Sequence, residues 1–320
     1  MKSTNFSFRL LALVAGFASL LATGCANQIR AVAQQPATVA VVSAQSTQLP
    51  SRTPTLFTTL TPSVPSLSPS PTLTHTRSGT PIPSLTPTPA LVYYPAGQIN
   101  VPILLYHRIV EGEAQNRYEV SLEDFRLQMD FLWRNGYETI TPVRLAKVIL
   151  KGGELPAKPV ILTFDDGYGS IYDLAFPVLE EYGFKGVVYV ITGLIGPPAY
   201  MSKDQLIELF ANGWEIGSHT VSHEDLVKNP SKANDQLRES KKFLEILLGN
   251  KEFTIAYPYG RADKNIALQA ARTGYSAGMG LGVSNIHSIE TLYFLSRQEI
   301  KSDCDQICFE KIVTGSEIEP

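Results

Sequence analysis

The chain has 320 residues, 18% of them charged, and its 27 basic and 30 acidic side chains leave a formal net charge of −3. This balance supplies no basic surface of the kind that binds nucleic acid, so nucleic acid is excluded as the expected partner.

The N-terminus has the pattern of a secretory signal. Lys2 and Arg9 precede an apolar run over residues 10–21 that is too short for a comfortable membrane span, and small residues lead from there to Cys25. The cysteine resembles a bacterial lipoprotein processing site, although the leucine usually found three residues before it lies four before it here. We predict a signal peptide over residues 1–25, lipidation of Cys25 and an extracytoplasmic, membrane-anchored protein. Plain secretion and an uncleaved anchor are the alternatives.

Residues 26–98 have the composition of an extended stalk. Between Pro50 and Pro89, forty positions include ten prolines and eighteen serines or threonines, and none is acidic. Such a segment buries too little apolar surface to fold and stays solvated and semi-rigid. Its role is either to hold a folded domain away from the membrane or simply to link two parts of the chain.

Residues 99–320 have a globular pattern in which strands and helices alternate. Strand-like runs are predicted at residues 101–106, 160–164, 186–191, 214–223 and 253–257. Helices are predicted at residues 121–135, 142–151, 170–182, 202–212 and 229–248, and Ser121 and Thr141 are the caps of the first two. This alternation predicts a single α/β domain with a parallel sheet, which we expect to be monomeric.

Two adjacent carboxylates, Asp165 and Asp166, end the most apolar of these strands and are followed by Gly167. The carboxyl ends of parallel strands are where α/β folds place their chemistry. One carboxylate can bind a metal while the other accepts a proton from the attacking water. The alternative is that Asp-Asp-Gly is simply a turn after a strand.

A pair of histidines, His219 and His223, ends the strand-like run that begins at Trp214. Their spacing of four residues places both imidazoles on one face, so both can reach the same ion. With one aspartate they would form a set of two histidines and one carboxylate that leaves metal positions open for water and substrate. Taken alone, such a pair is more often a surface or loop pair than a ligand pair.

Three motifs together resemble the polysaccharide deacetylases with a NodB-homology domain. They are Thr163-Phe164-Asp165-Asp166-Gly167, His219-Thr220-Val221-Ser222-His223 and Ala256-Tyr257-Pro258-Tyr259-Gly260. The resemblance covers roughly residues 100–315 and implies an irregular (β/α) barrel with fewer than eight units. It also implies a hydrolase that uses a divalent metal, Zn²⁺ first, to remove N-acetyl groups from an N-acetylated polysaccharide.

The same resemblance implies the roles of the site residues. Asp166, His219 and His223 would hold the metal, Asp165 would be the catalytic base, and the backbone N–H of Tyr259 would stabilise the oxyanion. Beside these roles, we take Tyr168, Tyr257, Pro258, Tyr259 and Arg297 as candidate substrate-binding residues. For Tyr257 and Tyr259 the alternative is ordinary packing, and the same holds for Tyr168 and Trp214 as aromatic faces for sugar rings.

Two departures from the family pattern concern the base and the acid. Ala256 stands where many members have an arginine that orients the catalytic aspartate, and Arg297 could supply that charge instead. The usual C-terminal Leu-x-His is absent, but Leu105-Tyr106-His107 has this form, as in the branch that acts on exported poly-N-acetylglucosamine. We therefore predict His107 as the general acid, with His287 as a second candidate. A sugar-binding domain without catalysis and a metal-dependent amidase on another substrate remain alternatives.

Cys304 and Cys308 are the remaining cysteines. In an exported chain this C-x-x-x-C pair is expected to form a local disulfide, because no further metal ligands lie nearby in the sequence.

Overall fold

The computed structural model describes residues 91–315, which form seven helices and fourteen strands. The helices are α1 Leu122–Arg134, α2 Pro142–Lys151, α3 Phe176–Tyr182, α4 Lys203–Ala211, α5 Pro230–Leu248, α6 Lys264–Thr273 and α7 Gln306–Thr314. The strands are β1 Leu91–Tyr94, β2 Ile99–Asn100, β3 Ile103–Tyr106, β4 Arg108–Val110, β5 Glu119–Ser121, β6 Glu138–Thr139, β7 Gly153–Pro156, β8 Pro159–Phe164, β9 Val187–Val190, β10 Glu215–Ser218, β11 Ile255–Ala256, β12 Gly278–Leu281, β13 Ile286–His287 and β14 Leu295–Glu299.

Seven parallel strands close into a barrel in the order β3, β14, β12, β11, β10, β9 and β8, and β8 pairs again with β3. This confirms the predicted irregular (β/α) barrel with fewer than eight units. Because all seven strands are parallel, their carboxyl ends meet at one rim, which we call the mouth.

The apolar residues of the strands pack on both sides of the barrel wall. On β8, Ile161 belongs to the cluster inside the barrel, whereas Val160, Leu162 and Phe164 belong to the larger cluster under the outer helices. This alternation follows from the two-residue period of a strand, and it places Thr163 and Asp165 on the inner side with Ile161. A strand that is buried on both faces therefore reads as a continuous apolar run.

Helix α2 closes the end of the barrel opposite the mouth. Thr141 accepts a hydrogen bond from the backbone N–H of Arg144, and Pro142 occupies the first helical position, as the sequence predicts. The buried side of α2 packs into the inner cluster through Leu145, Ala146, Val148 and Ile149. The interior between α2 and the mouth is therefore filled largely by packed apolar side chains.

Strand β1 corrects the predicted boundary of the stalk. Residues 91–94 pair antiparallel with β7, and the hydroxyl of Tyr94 donates to the carbonyl of Pro156 at 3.3 Å. The folded part thus begins before residue 99, because four β-prone residues follow the proline-rich segment directly. The predicted signal peptide, Cys25 and residues 26–90 of the stalk lie outside the described residues.

A disulfide joins Cys304 and Cys308 at the start of α7, as the sequence predicts. Among the helices of residues 91–315, none is long and apolar enough to cross a bilayer.

Candidate active site

The two aspartates leave β8 at the mouth with different backbone conformations. Asp166 has a φ of 72° and Gly167 a φ of 81°, so the chain turns in the left-handed region directly after Asp165. An extended backbone would send the two neighbouring side chains to opposite faces of the sheet. The turn instead brings both carboxylates to the same imidazole, with the Nε2 atom of His219 3.8 Å from Asp165 and 3.6 Å from Asp166.

Asp166, His219 and His223 form a compact group whose potential ligand atoms lie within 4.8 Å of one another. The Nε2 atoms of both histidines are 3.6 Å from Oδ1 of Asp166. The Nδ1 atom of His219 lies 2.7 Å from the carbonyl of Ala256, and a carbonyl can only accept. Nδ1 therefore carries the proton, and Nε2 presents its lone pair to the group.

The loop after β10 holds His223 in place. Thr220 and His223 both adopt positive φ, at 67° and 58°, which folds the loop back on itself. The side chain of Gln236 on α5 accepts hydrogen bonds from the backbone N–H groups of Val221 and Ser222. Helix α5 thus fixes the loop that presents the second imidazole.

The protonation states of this group match those of metal ligands. Burial lowers the pKa of His219 to about 4 and also lowers that of His223, so both imidazoles are neutral at pH 7. Burial and the nearby charge of Asp165 raise the pKa of Asp166 to about 7. A divalent cation would stabilise the ionised carboxylate, and two imidazoles with one carboxylate suit zinc. The residues therefore fit a divalent metal.

Asp165 has a different partner. Its two carboxylate oxygens accept hydrogen bonds from the two terminal nitrogens of Arg297, at 2.6 and 2.8 Å, and the arginine side chain is 1% exposed. Burial alone would raise the pKa of Asp165, but the charge of Arg297, aided by that of His219, holds it at about 2. Asp165 is therefore an ionised, oriented carboxylate beside the metal ligands.

His107 lies at the same mouth, one residue beyond β3. Its ring packs edge-on against Tyr118 with the ring centroids 4.9 Å apart, and its Nδ1 atom is buried without a hydrogen-bond partner in the described part of the chain. Burial lowers the pKa of His107, an effect that the charge of Asp165 partly opposes. The second candidate acid, His287, is at the opposite end of the barrel, where its Nε2 lies 2.9 Å from the carbonyl of Val101. That alternative is wrong.

Known proteins are similar to this chain in sequence and in fold. The polysaccharide deacetylase family matches residues 152–278. A putative polysaccharide deacetylase of Bacillus subtilis, YxkH, is 31% identical over 201 residues, which cover 62% of this chain and 71% of the relative. The chain belongs to the polysaccharide deacetylase family. The predicted family is thereby confirmed.

Other deacetylases are similar over most of their length. The poly-β-1,6-N-acetyl-D-glucosamine N-deacetylase of Staphylococcus aureus is 28% identical over 228 residues, covering 62% of this chain and 78% of the relative. The Streptococcus pyogenes deacetylase PplD superposes with a TM-score of 0.62 and 28% identity over 67% of this chain and 98% of that one. IcaB from Ammonifex degensii superposes with a TM-score of 0.57 and 25% identity over 67% and 96% of the two chains.

Some residues that were predicted to bind substrate are buried and contact other parts of the protein instead. Arg297 is buried, and its terminal nitrogens are used by Asp165, so it does not contact substrate. Tyr257 is also buried and donates its hydroxyl to the carbonyl of Tyr293. Its ring covers Gly278 on the outer side of β12, where no helix of the described residues separates β12 from β14. Trp214 stacks on Phe164 in the outer core.

Other members of that set do line the mouth. Tyr259 is 55% exposed, and its ring lies 4.7 Å from that of His223. Pro258, directly before it, is buried and does not line the mouth, so its prediction as a substrate-binding residue is wrong. Tyr168 is half-buried and stacks on Tyr200 with the ring centroids 5.2 Å apart. The exposed ring of Tyr259 is therefore the group of this set that a sugar reaches most directly.

Thr163 is a site residue that the sequence analysis missed. Its hydroxyl donates to the carbonyl of Leu104 and accepts from Arg297 at 3.2 Å. It stands two residues before Asp165 on an extended strand, and this spacing alone predicts that both point into the barrel.

Proposed function

We propose that the protein is an extracytoplasmic, metal-dependent hydrolase that removes N-acetyl groups from an N-acetylated polysaccharide, with poly-N-acetylglucosamine as the first candidate. The observation that carries the proposal is the pair Asp165 and Asp166. One carboxylate is held by an arginine and stays ionised, while its neighbour lies among two neutral imidazoles. Adjacent groups in such different environments can divide the roles of base and ligand.

A divalent metal, Zn²⁺ first, is the proposed cofactor, held by Asp166, His219 and His223. When bound there, it would polarise the acetamide carbonyl and make the attacking water more acidic. The donor set supports zinc because imidazole nitrogen and carboxylate oxygen are its usual protein ligands beside cysteine.

Asp165 is the proposed general base. Its carboxylate accepts a proton from the water as the oxygen of that water forms a bond to the acetyl carbon. Because Arg297 occupies both carboxylate oxygens from the interior, Asp165 remains ionised across the neutral pH range and cannot turn away from the mouth.

His107 is the proposed general acid. It would protonate the sugar nitrogen as the carbon–nitrogen bond breaks, which releases acetate and leaves a free amine on the sugar. The barrel order places its strand, β3, far across the mouth from β10, which precedes His219 and His223. The substrate amide would therefore lie between the metal ligands and the acid. The backbone N–H of Tyr259 would donate to the oxyanion.

The features outside the described residues support an extracytoplasmic location. The basic flank, apolar run and Cys25 fit a lipoprotein signal, and the proline-rich segment fits a spacer between membrane and catalytic domain. The disulfide at the start of α7 is consistent with an oxidising compartment. We propose a monomer that is attached through a lipid at Cys25 and acts on a polymer outside the cell membrane.

Two other functions are less well supported. A sugar-binding domain without catalysis would have no use for a buried arginine that orients the carboxylate beside the metal ligands. An amidase on a small substrate would need a more enclosed pocket than the exposed Tyr259 rim provides.

The test is acetate release by the purified full chain from three substrates: β-1,6-linked N-acetylglucosamine oligomers, chitin oligomers and peptidoglycan. We expect release from at least one of them, with the β-1,6-linked oligomers the fastest. Binding of an oligomer without acetate release would instead favour the non-catalytic domain. Release from none of them, together with hydrolysis of small acetamides, would favour the amidase.

A further inference from the structure

The interior of the barrel contains a buried line of polar groups that begins at the base of the mouth. Arg297, which binds Asp165, lies with its guanidinium carbon 5.4 Å from the ring centroid of Tyr189. The hydroxyl of Tyr189 lies 2.9 Å from Oγ1 of Thr254, and Thr254 donates to Glu215 at 2.6 Å. All of these side chains are buried.

The hydrogen-bond directions along this line follow from the groups themselves. While Glu215 is ionised, the single hydroxyl hydrogen of Thr254 is used on it, so Tyr189 donates to Thr254. The second oxygen of Glu215 accepts from the backbone N–H of Val143, at the N-terminal end of α2. The line is thus anchored in the helix that closes the far end of the barrel.

The neighbouring strand leaves room for the ring of Tyr189. A Cβ atom on Gly217 would lie 2.3 Å from Cε1 and 2.4 Å from Cδ1 of that ring. Glycine at this position of β10 therefore lets the tyrosine lie flat across the strand. The ring of Tyr189 is held on one side by the backbone of β10 and at its hydroxyl by Thr254. These contacts fix its position independently of Arg297.

The ring of Tyr189 lies against the flat face of the Arg297 guanidinium. In the plane of its guanidinium, Arg297 bonds to Asp165, Thr163 and the carbonyl of Gly280. Hydrogen bonds in the plane of a guanidinium fix the direction in which the group points, while contact with an aromatic ring fixes the tilt of that plane. The tilt decides where the two donated hydrogens point, and thus where the carboxylate oxygens of Asp165 lie.

We propose that Tyr189 is a positioning residue for Asp165 and that it acts through Arg297. Thr254 and Glu215 keep the ring in place, and the polar line has no contact with substrate of its own. This inference rests on the proposed role of Asp165 as the base. Nothing in the sequence pattern marks Tyr189, because a tyrosine in an apolar strand is ordinarily a core residue.

The test compares three variants of the zinc-loaded full chain on N-acetylglucosamine oligomers. Tyr189→Leu removes the ring, and we expect kcat to fall by about 10²-fold, the scale of a small misplacement of a catalytic group. We expect KM and one equivalent of bound zinc to be retained. Tyr189→Phe keeps the ring and should lose less than about tenfold, the scale of one hydrogen bond. Phe309→Leu, the control, removes an aromatic ring that is equally buried but packs on Phe131 in the outer layer, and should leave kcat per folded molecule unchanged.

A second comparison asks whether the effect passes through Arg297. In an Arg297→Lys background, Tyr189→Leu should add no more than about twofold, which is the usual error of additivity. If the two single losses multiply in the double variant, the inference is overturned. A loss in Tyr189→Leu no larger than in Phe309→Leu would overturn it as well. If the leucine variant does not fold, Tyr189→Met replaces it under the same criteria, since methionine fills irregular space without a ring.

A crystal structure of the Tyr189→Leu or Tyr189→Met variant separates this inference from the proposed function. We expect at least one of the two bonds between Arg297 and Asp165, which are 2.6 and 2.8 Å long, to be broken. Both bonds retained would overturn the inference even if the wild type is an active deacetylase. A wild type that releases no acetate would overturn the proposed function but would leave this structural readout intact.

Discussion

Replacing Arg297 by glutamine tests the arrangement of the catalytic base. The side chains of Arg297 and Asp165 are 1% and 4% exposed and are joined by two hydrogen bonds, so the variant leaves a buried carboxylate without its counter-charge. Removal of one partner from a buried ion pair costs about 3–5 kcal/mol. We expect the free energy of unfolding to fall by this amount at pH 8, and deacetylation to fall with it.

The pH dependence of this loss has a definite sign. In the wild type, Arg297 outweighs burial and holds the pKa of Asp165 at about 2, so the stability that this group contributes is present above its ordinary value of 3.8 and is lost only as the pH falls through about 2. In the variant, burial acts unopposed by Arg297, and the pKa of Asp165 rises. Protonation then relieves the buried charge, so the deficit of the variant should shrink between pH 8 and pH 5.

The assay is urea denaturation of the metal-free full chain at pH 5 and pH 8, with Arg126→Gln as the control. Arg126 binds Glu181 through the same two-bond geometry, at 2.6 and 3.0 Å, but both side chains are exposed. This control should lose less than about 1 kcal/mol. A loss in Arg297→Gln no larger than in the control, or a deficit that grows as the pH falls, would refute the reasoning.

Four further substitutions test individual groups. Asp165→Asn should abolish turnover while the bound zinc remains, and Asp166→Asn should weaken zinc binding; the opposite pattern, seen by metal analysis, would mean that the roles are exchanged. His107→Ala should cut hydrolysis of the amide by about 10²-fold but spare activated aryl acetates, whose leaving group needs little protonation. Equal losses on both substrates would indicate a positioning role for His107. Burial raises the pKa of Glu215 from 4.5 to about 7, so its ionisation costs the fold about 3 kcal/mol above pH 7. In urea denaturation, the change in the free energy of unfolding caused by Glu215→Gln should therefore be about 3 kcal/mol more stabilising at pH 8 than at pH 4.5. An equal change at both pH values would contradict this.

Local signals in the sequence predict the parallel α/β domain and the His219 and His223 pair, and the resemblance to the deacetylases supplies the barrel and the choice of Asp166 as their partner. Continuous apolar strands, helix caps such as Ser121 and a short spacing between functional residues are all local signals, and local signals survive in a single sequence. The positive φ of Asp166 also has a local signal, because the glycine directly after it, Gly167, marks a turn.

The contacts that the sequence did not reveal join residues distant along the chain. Arg297 lies 132 residues from Asp165, and the sequence offered it two roles, as the charge beside this aspartate and as a substrate-binding residue. Closure of the barrel brings its guanidinium to Asp165, as the first role expects, and away from the substrate. Tyr257 follows a strand, as a substrate-binding residue often does, but the absence of a helix between β12 and β14 in the described residues gives it an outer surface to cover. Both errors came from assigning a side chain to the mouth by its position in the sequence alone.

The most direct test of the account is a zinc titration of the metal-free full chain, with acetate release from N-acetylglucosamine oligomers as the readout. Release by the wild type should rise with added zinc and level off at one equivalent. The double variant His219→Ala, His223→Ala should stay folded, because residues at the mouth contribute mainly to function, and should neither bind zinc tightly nor release acetate. Full release in the presence of a chelator, or a full equivalent of tightly bound zinc in the double variant, would contradict the assignment of this site.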